Sequence, residues 1–128
     1  MFTLAYERRH KVLVSRFTGV FSSEDIAELD RAVIEFTARN GPSHGLLDFT
    51  QVEAVTVPMS KLVKRGGQPA ISPGLKRVFV VPGSQDMARE FANQQALAGS
   101  DGPQIVSTLQ EAYRLLGLGE DPKFEVVV

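Results

Sequence analysis

His44 and Asp48 are the side chains best suited by type to acid–base chemistry, since an imidazole and a carboxylate can exchange a proton. They lie four residues apart in what reads as extended chain, which separates them by about 13 Å. A general base must stand within about 3 Å of the proton that it removes. The other histidine, His10, lies in the basic run 8–11, where we expect a solvated turn. We therefore predict no catalytic residue, and an enzyme is the least favoured of three functional hypotheses.

Metal, thiol and anion chemistry receive little support from the sequence. Cysteine is absent, which excludes disulfides and zinc–sulfur sites, and the histidines show no ligand spacing, so we predict no metal and no cofactor. Gly83 and Ser84 follow an apolar run and open a helical pattern. Free backbone amides there could hold an anion, or Ser84 could serve only as the N-cap of the helix. Both interpretations stay open.

Basic and hydroxyl side chains gather between an apolar run and a Gly/Pro-rich loop. The residues that could bind a partner there are Thr56, Ser60, Lys61, Lys64 and Arg65. A short run of charge is usually a solvated face, and the alternative is a surface that binds a protein. We predict that the partner surface comprises the loop and helix at 50–67, joined by the helix cap at 83–86.

These side chains must be positioned by alternating strands and helices. The predicted strands have period-two or fully apolar patterns and span 2–7, 11–18, 46–49, 75–81 and 104–106. The predicted helices have apolar residues at three- and four-residue steps and run from Ser22 to Gly41, from Met59 to Lys64, from Ser84 to about Ala98, and from a capping box at 107–110 to Gly117. The tail FEVVV is either an added edge strand or a partner-binding extension.

This alternation requires crossover connections between strands. We predict an α/β fold in one domain, residues 1–128, with a mixed, mostly parallel sheet of four or five strands. An N-terminal β-hairpin opens it, and about four helices lie mainly on one side.

Net charge, composition and the lengths of apolar runs argue against further classes of function. A net charge of −1 provides no basic footprint for nucleic acid. No apolar run approaches the ~20 residues that span a bilayer, and the start MFTLAYERRHK lacks the pattern of a signal peptide. With 43% hydrophobic and 23% charged residues and no cysteine, we expect a cytoplasmic globular protein without an integral membrane segment.

Three stretches carry a resemblance to a known family. They are LLDFTQVEAV, LKRVFVVPGSQDMAREFANQQALAG and QIVSTLQEAYRLLGL. Together with the opening hairpin they resemble the anti-sigma-factor-antagonist or STAS-like fold, in particular small stand-alone bacterial proteins of the sporulation-antagonist-like type. The resemblance covers nearly the whole chain and implies a non-enzymatic module that regulates through a protein partner. We also expect self-association, as a homodimer, through exposed sheet edges or the hydrophobic tail.

The switching members of this group carry Asp-Ser-Ser-Gly after the strand that ends in aspartate. A phosphate there adds about −1.5 to −2 charges to a partner-facing surface. Aligned on Asp48, the tetrapeptide falls on Thr56-Val57-Pro58-Met59, and neither Val57 nor Pro58 can be phosphorylated. The resemblance therefore implies a module without the phosphorylatable serine. Asp48 is expected to be structural and to brace the following loop, because a buried carboxylate needs hydrogen-bond partners.

A related resemblance is to lipid-transfer folds of the Sec14 type, and it implies an apolar pocket between helices and sheet. The wall would be formed by Met59, Leu62, Val63 and Phe91, with the loop 66–74 as a lid. The alternative is that these side chains fill the core, since a stripe at helical spacing is ordinary packing. A carrier of a small apolar ligand, such as a lipid, is therefore the second functional hypothesis.

Overall fold

The computed structural model describes residues 2–56, 75–81 and 104–127, which form six strands and two helices. The strands are β1 (Phe2–Glu7), β2 (Val12–Phe21), β3 (His44–Val55), β4 (Arg77–Val80), β5 (Gln104–Val106) and β6 (Glu125–Val126), and the helices are α1 (Ser23–Asn40) and α2 (Leu109–Leu116). The predicted helices at 59–64 and 84–98 lie outside the described residues. A count of four helices is therefore not supported by the structure.

One mixed sheet holds all six strands, in the order β5-β4-β3-β2-β1-β6. The pairs β2–β3, β3–β4 and β4–β5 are parallel, while β1 pairs in the antiparallel sense with both β2 and β6. The opening hairpin is present, but the expectation of a mostly parallel sheet is not supported, because both pairings of β1 are antiparallel. The sheet exceeds the expected four or five strands because the tail pairs with β1 as an added edge strand.

The alternation of β2 builds two hydrophobic layers, one on each face of the sheet. The layer under α2 contains Val12, Val14, Leu46, Val78, Val80, Val106, Ala112 and Leu116. The layer under α1 contains Leu4, Leu13, Phe17, Phe36, Phe49 and Phe79. The two described helices therefore cover opposite faces, and the expectation of helices mainly on one side is wrong for them. The central strands are apolar on both faces and need cover on both.

Helix α1 begins and ends at the capping residues that the sequence predicts, Ser22 and Gly41. The Ser22 hydroxyl accepts a hydrogen bond from the backbone N–H of Asp25 at 3.4 Å, and the Asp25 carboxylate accepts one from the Ser22 backbone N–H at 2.8 Å. This reciprocal pair is a capping box, which satisfies donors that the first helical turn leaves free. At the other end Gly41 adopts φ +82°, and its N–H donates to the carbonyl of Thr37. Both limits agree with the prediction.

Helix α2 begins one residue later than its sequence suggested. The N-cap is Thr108, whose hydroxyl accepts from the backbone N–H of Glu111 at 3.2 Å, and the helix closes at Gly117 with φ +73°. The predicted capping box at 107–110 is therefore out of register by one position. Two adjacent hydroxyl residues, Ser107 and Thr108, offer the same signal, and local pattern does not separate them.

Strand β3 is much longer than the predicted strand 46–49, and residues 50–55 are strand rather than loop. Among the described residues, the part of β3 past Asp48 pairs with β2 alone, because β4 is matched to residues 45–48. We call residues 18–21 together with 51–56 the β2–β3 ribbon. It extends beyond the described part of β4 at the carboxyl ends of β2 and β3, where the chain of β3 leaves the described region.

Candidate functional site

Asp48 is fully buried in β3, and both of its carboxylate oxygens accept hydrogen bonds. Nε of Arg16, on β2, donates to Oδ2 at 2.9 Å, and the backbone N–H of Thr50 donates to Oδ1 at 2.8 Å. The Asp48 side chain is 0% exposed, whereas that of Arg16 is 42% exposed. The ion pair therefore connects the interior with the surface at the base of the β2–β3 ribbon.

A β-bulge explains why Asp48 bonds to the backbone of Thr50. Arg16 lies opposite Asp48, but Thr18 lies opposite Gln51, so β3 has one residue more than β2 in this interval. A bulge leaves its extra residue outside the regular ladder of backbone hydrogen bonds. The Asp48 carboxylate accepts the N–H of Thr50 at this place, which supplies the hydrogen bond that a buried carboxylate requires. The ion pair and the bulge are thus one structural unit.

Tyr113, on α2, borders this unit from the helical layer. Burial raises its pKa above the usual value of 10, the positive charge of Arg16 opposes that shift, and the negative charge of Asp48 adds to it. Its ring also packs against Phe124, with 6.0 Å between ring centroids. A neutral phenol with a raised pKa does not act as a base near neutral pH. Tyr113 therefore contributes packing and polarity to the edge of the site.

Neither histidine contacts Asp48 to form a proton relay. Nδ1 of His44 accepts a hydrogen bond from the backbone N–H of Lys76 at 3.0 Å. His10 lies at the hairpin turn, where its backbone N–H and its Nδ1 both contact the Glu7 carboxylate, at 2.7 and 3.0 Å. General acid–base catalysis requires the base to reach a substrate proton or a nucleophile. These hydrogen bonds give both imidazoles a structural role.

Exposed apolar side chains mark the β2–β3 ribbon. Val20 is 49% exposed and Val55 is 44% exposed. Val20 lies opposite Ala54, which is also exposed, so these two side chains share one face of the ribbon. Val55 lies opposite Phe21 and points to the other face. Phe21 and Val52, by contrast, pack into the aromatic layer under α1 and hold the ribbon to the body of the protein. The ribbon therefore presents exposed apolar side chains on both of its faces, and Phe21 and Val52 anchor it to the body of the protein.

Thr56 is the one predicted partner-binding residue that the structure describes. Its backbone N–H donates to the carbonyl of Phe21 at 2.9 Å, and its hydroxyl lies 3.4 Å from the same oxygen. The side chain is exposed at the end of the ribbon. The other predicted site residues lie outside the described residues: Ser60, Lys61, Lys64 and Arg65 of the basic patch, Gly83 and Ser84 of the anion site, and Met59, Leu62, Val63 and Phe91 of the apolar pocket.

Arg16 and Tyr113 are the members of this site that the sequence did not indicate. The sequence does contain a signal for Arg16, which follows Val12 and Val14 at period two and so lies on the same buried face of β2. A charged side chain on a buried face needs a partner of opposite charge. Nothing local connects Arg16 to Asp48, 32 residues away. The parallel register of β2 and β3 makes that connection.

Metal binding and membrane insertion find no support in the described ranges. Within residues 2–56, 75–81 and 104–127, no three His, Asp or Glu side chains are grouped so that they could hold a metal ion. Neither described helix is long and apolar enough to cross a membrane.

Comparison with solved structures identifies the fold. The anti-sigma factor antagonist SpoIIAA, in its unphosphorylated form, superimposes with a TM-score of 0.57 at 12% identity, covering 94% of this chain and 100% of that one. An uncharacterised protein of the DUF3478 family from Shewanella loihica PV-4, with a SpoIIAA-like fold, gives 0.54 at 15% identity and covers 91% and 92%. No family model and no curated protein matches the sequence. The STAS-like fold expected from the sequence is confirmed.

Proposed function

We propose that this protein is a non-enzymatic regulatory module that binds a partner protein through the β2–β3 ribbon. The observation that carries the proposal is that the ribbon exposes apolar side chains on both of its faces at the carboxyl end of the parallel strands: Val20 and Ala54 on one face and Val55 on the other. In open α/β sheets, binding sites form beyond the carboxyl ends of the strands. The fold is that of SpoIIAA, an anti-sigma factor antagonist, and such an activity requires contact with another protein.

The arrangement around Asp48 favours a rigid support over a reaction centre. Both carboxylate oxygens are engaged by Arg16 and by the backbone of Thr50. The Asp48 side chain is also 0% exposed, so a substrate in solution does not reach the carboxylate. The unit instead fixes the direction in which the ribbon leaves the sheet, and a preformed surface loses less conformational entropy on binding.

We further propose that binding does not depend on a phosphorylated serine at the start of the segment after β3. Val57 and Pro58 occupy the aligned positions and carry no hydroxyl. Protein purified from its native cell is expected to show the unmodified mass of the peptide that spans 51–61. A stoichiometric phosphate on Thr56 or Ser60 would overturn this part of the proposal.

Affinity capture tests the ribbon directly. The double variant Val20→Glu with Val55→Glu places one charge on each face of the ribbon and should abolish capture of the partner that wild-type protein retains. The identified partner, once purified, should bind the double variant at least tenfold more weakly by calorimetry. Ile34→Glu is the matched control, since Ile34 lies on α1 and its side chain is 57% exposed.

Thermal unfolding of all three proteins accompanies the binding measurement. Charge at exposed positions should change stability little, so equal melting temperatures would assign the loss of binding to the surface. Equal affinity of wild type and the Val20–Val55 variant for the purified partner would reject the ribbon as the binding surface.

A further inference from the structure

The outer edge of β6 presents backbone hydrogen-bonding groups away from the sheet. The backbone N–H of Val127 donates to the carbonyl of Leu4 at 2.8 Å, and Val126 lies opposite Ala5. In an antiparallel ladder, pairs that exchange hydrogen bonds alternate with pairs that do not. The N–H and C=O of Val126 therefore point away from β1, towards the open edge. The residue is 84% exposed.

A groove runs beside this edge on the face covered by α1. It has a volume of about 300 Å³ and an apolar floor formed by Leu4, Tyr6 and Phe36. Glu35 and Arg39 of α1 line it from above. No ion pair joins either of these two charges to any residue in the described part of the chain. The other two charged residues that line the groove, Arg8 and Glu125, form an ion pair with each other at 2.9 Å. The groove therefore combines an apolar floor with one charge of each sign, on Glu35 and Arg39, that no ion pair within the described ranges engages.

We propose that a second copy of this chain pairs with β6 and closes the groove, forming a two-fold symmetric dimer. Antiparallel pairing of two β6 strands about an axis at Val126 lets each Val126 donate its N–H to the carbonyl of the other. The same surface is then used on both chains, as a two-fold interface requires. Edge strands with free backbone groups are templates for such pairing.

The charges on α1 select a second copy of the chain as the occupant. A two-fold axis perpendicular to the sheet keeps both α1 helices on one face and sets them antiparallel. Three strand spacings, about 14 Å, then separate the two β1 strands, which long side chains can bridge. Glu35 of each chain faces Arg39 of the other, because antiparallel symmetry exchanges positions on either side of the axis. The interface is thus complementary to itself in charge.

This interface is separate from the β2–β3 ribbon, because β1 stands between β2 and β6 in the sheet. Its failure would leave the proposed function untouched. Light scattering of the full chain at about 50 µM, together with native mass spectrometry, should give twice the 14.0 kDa mass of one chain. If the wild-type protein is a monomer at this concentration, the proposed dimer is wrong, and the outer edge of β6 would be free to pair with a strand from another protein.

Val126→Pro tests the backbone pairing. Proline removes the N–H that points to the open edge and leaves the hydrogen bond between Val127 and Leu4 in place, so the monomer should remain folded. We expect this variant to be monomeric with an unchanged circular dichroism spectrum. Ile34→Lys, at an exposed position away from the groove, should remain dimeric. A dimeric Val126→Pro protein would contradict the proposed pairing.

A charge exchange tests the contact between helices. Glu35→Arg alone brings like charges together and should weaken the dimer at least tenfold. The double variant Glu35→Arg with Arg39→Glu restores opposite charges across the axis and should recover the wild-type dissociation constant. Loss of the dimer in the single variant without recovery in the double variant would rule out this symmetry.

Discussion

Nδ1 of His44 accepts a hydrogen bond from the backbone N–H of Lys76 at 3.0 Å, and the carbonyl of Lys76 accepts one from the N–H of Gly45 at 2.9 Å. The imidazole thus extends the pairing of β3 with β4 by one hydrogen bond at its start. An imidazole nitrogen can accept a hydrogen bond only while it carries no proton. The neutral form of His44 is therefore part of the folded structure.

Acid should weaken the fold through His44. Burial, assisted by the nearby charge of Lys76, lowers the pKa of His44 below the usual 6.5. The unfolded chain takes up a proton near pH 6.5, but the folded chain does so only at lower pH. The contribution of neutral His44 to the free energy of unfolding is therefore fully present above pH 6.5 and declines as the pH falls below that value.

Urea unfolding at about pH 7.5 and 5.5 measures this effect, which should be at most about 1.4 kcal/mol because one proton contributes about 1.36 kcal/mol per pH unit below 6.5. His44→Gln is the control, because glutamine keeps an acceptor and does not titrate. The wild type should lose more stability on acidification than the variant does. An identical pH dependence of the two proteins would exclude His44 as the titrating group.

Removal of Arg16 should destabilise the protein substantially. Arg16→Met leaves the buried carboxylate of Asp48 without its ion-pair partner, a change that typically costs about 3 kcal/mol. Equilibrium urea unfolding gives the loss. The double variant Arg16→Met with Asp48→Asn should be less destabilised than the sum of its two single variants, because no unpaired charge remains. Simple additivity would show that the two side chains act independently.

Loss of the α1 cap should have a smaller effect. Ser22→Ala removes the hydroxyl that accepts from Asp25 and should lower the free energy of unfolding by about 1 kcal/mol. Ser23→Ala, at the first residue of the helix, is the neighbouring control and should change stability by less than half as much. The same measurement on both variants decides the matter, and a larger loss for Ser23→Ala would place the cap elsewhere.

The aromatic layer should be the most sensitive part of the core. Phe17 is fully buried, and its ring centroid lies 4.9 Å from that of Phe21 and 5.1 Å from that of Phe49. Phe17→Ala should cost about 4 kcal/mol, since truncation removes transfer free energy and leaves a cavity. Chemical denaturation tests this against Ile34→Ala, which should change stability by less than about 1 kcal/mol. Comparable losses in the two variants would mean that the layer is loosely packed.

The elements predicted well are those whose signals are local. Helix α1 is bounded by the Ser22 cap and Gly41, both readable within a few residues. The sequence pattern predicts a β3 that is too short, because Gln51 and Glu53 are residue types common in loops. They lie instead in a ribbon whose exposed positions admit polar side chains. A bulge at residues 49 and 50 also breaks the alternation on which strand prediction depends.

The candidate site was only partly predictable for a different reason. Asp48 could be recognised because a carboxylate that ends an apolar strand needs hydrogen bonds. Arg16 becomes its partner only through the register of two parallel strands, and that register follows from the packing of both faces. The placement of α1 and α2 on opposite faces likewise depends on tertiary packing, which the periodicity of each helix leaves open.

The pairing of β1 with β6 joins residues that are far apart in the chain, as the ion pair between Arg8 and Glu125, 117 positions apart, shows. Ribosomes add about 5–20 residues per second, so the partner of β1 emerges on the order of ten seconds after β1 itself. Throughout that interval the nascent hairpin has one uncovered flank. Slow translation or a delayed final segment should therefore expose this flank to chaperones and to neighbouring chains.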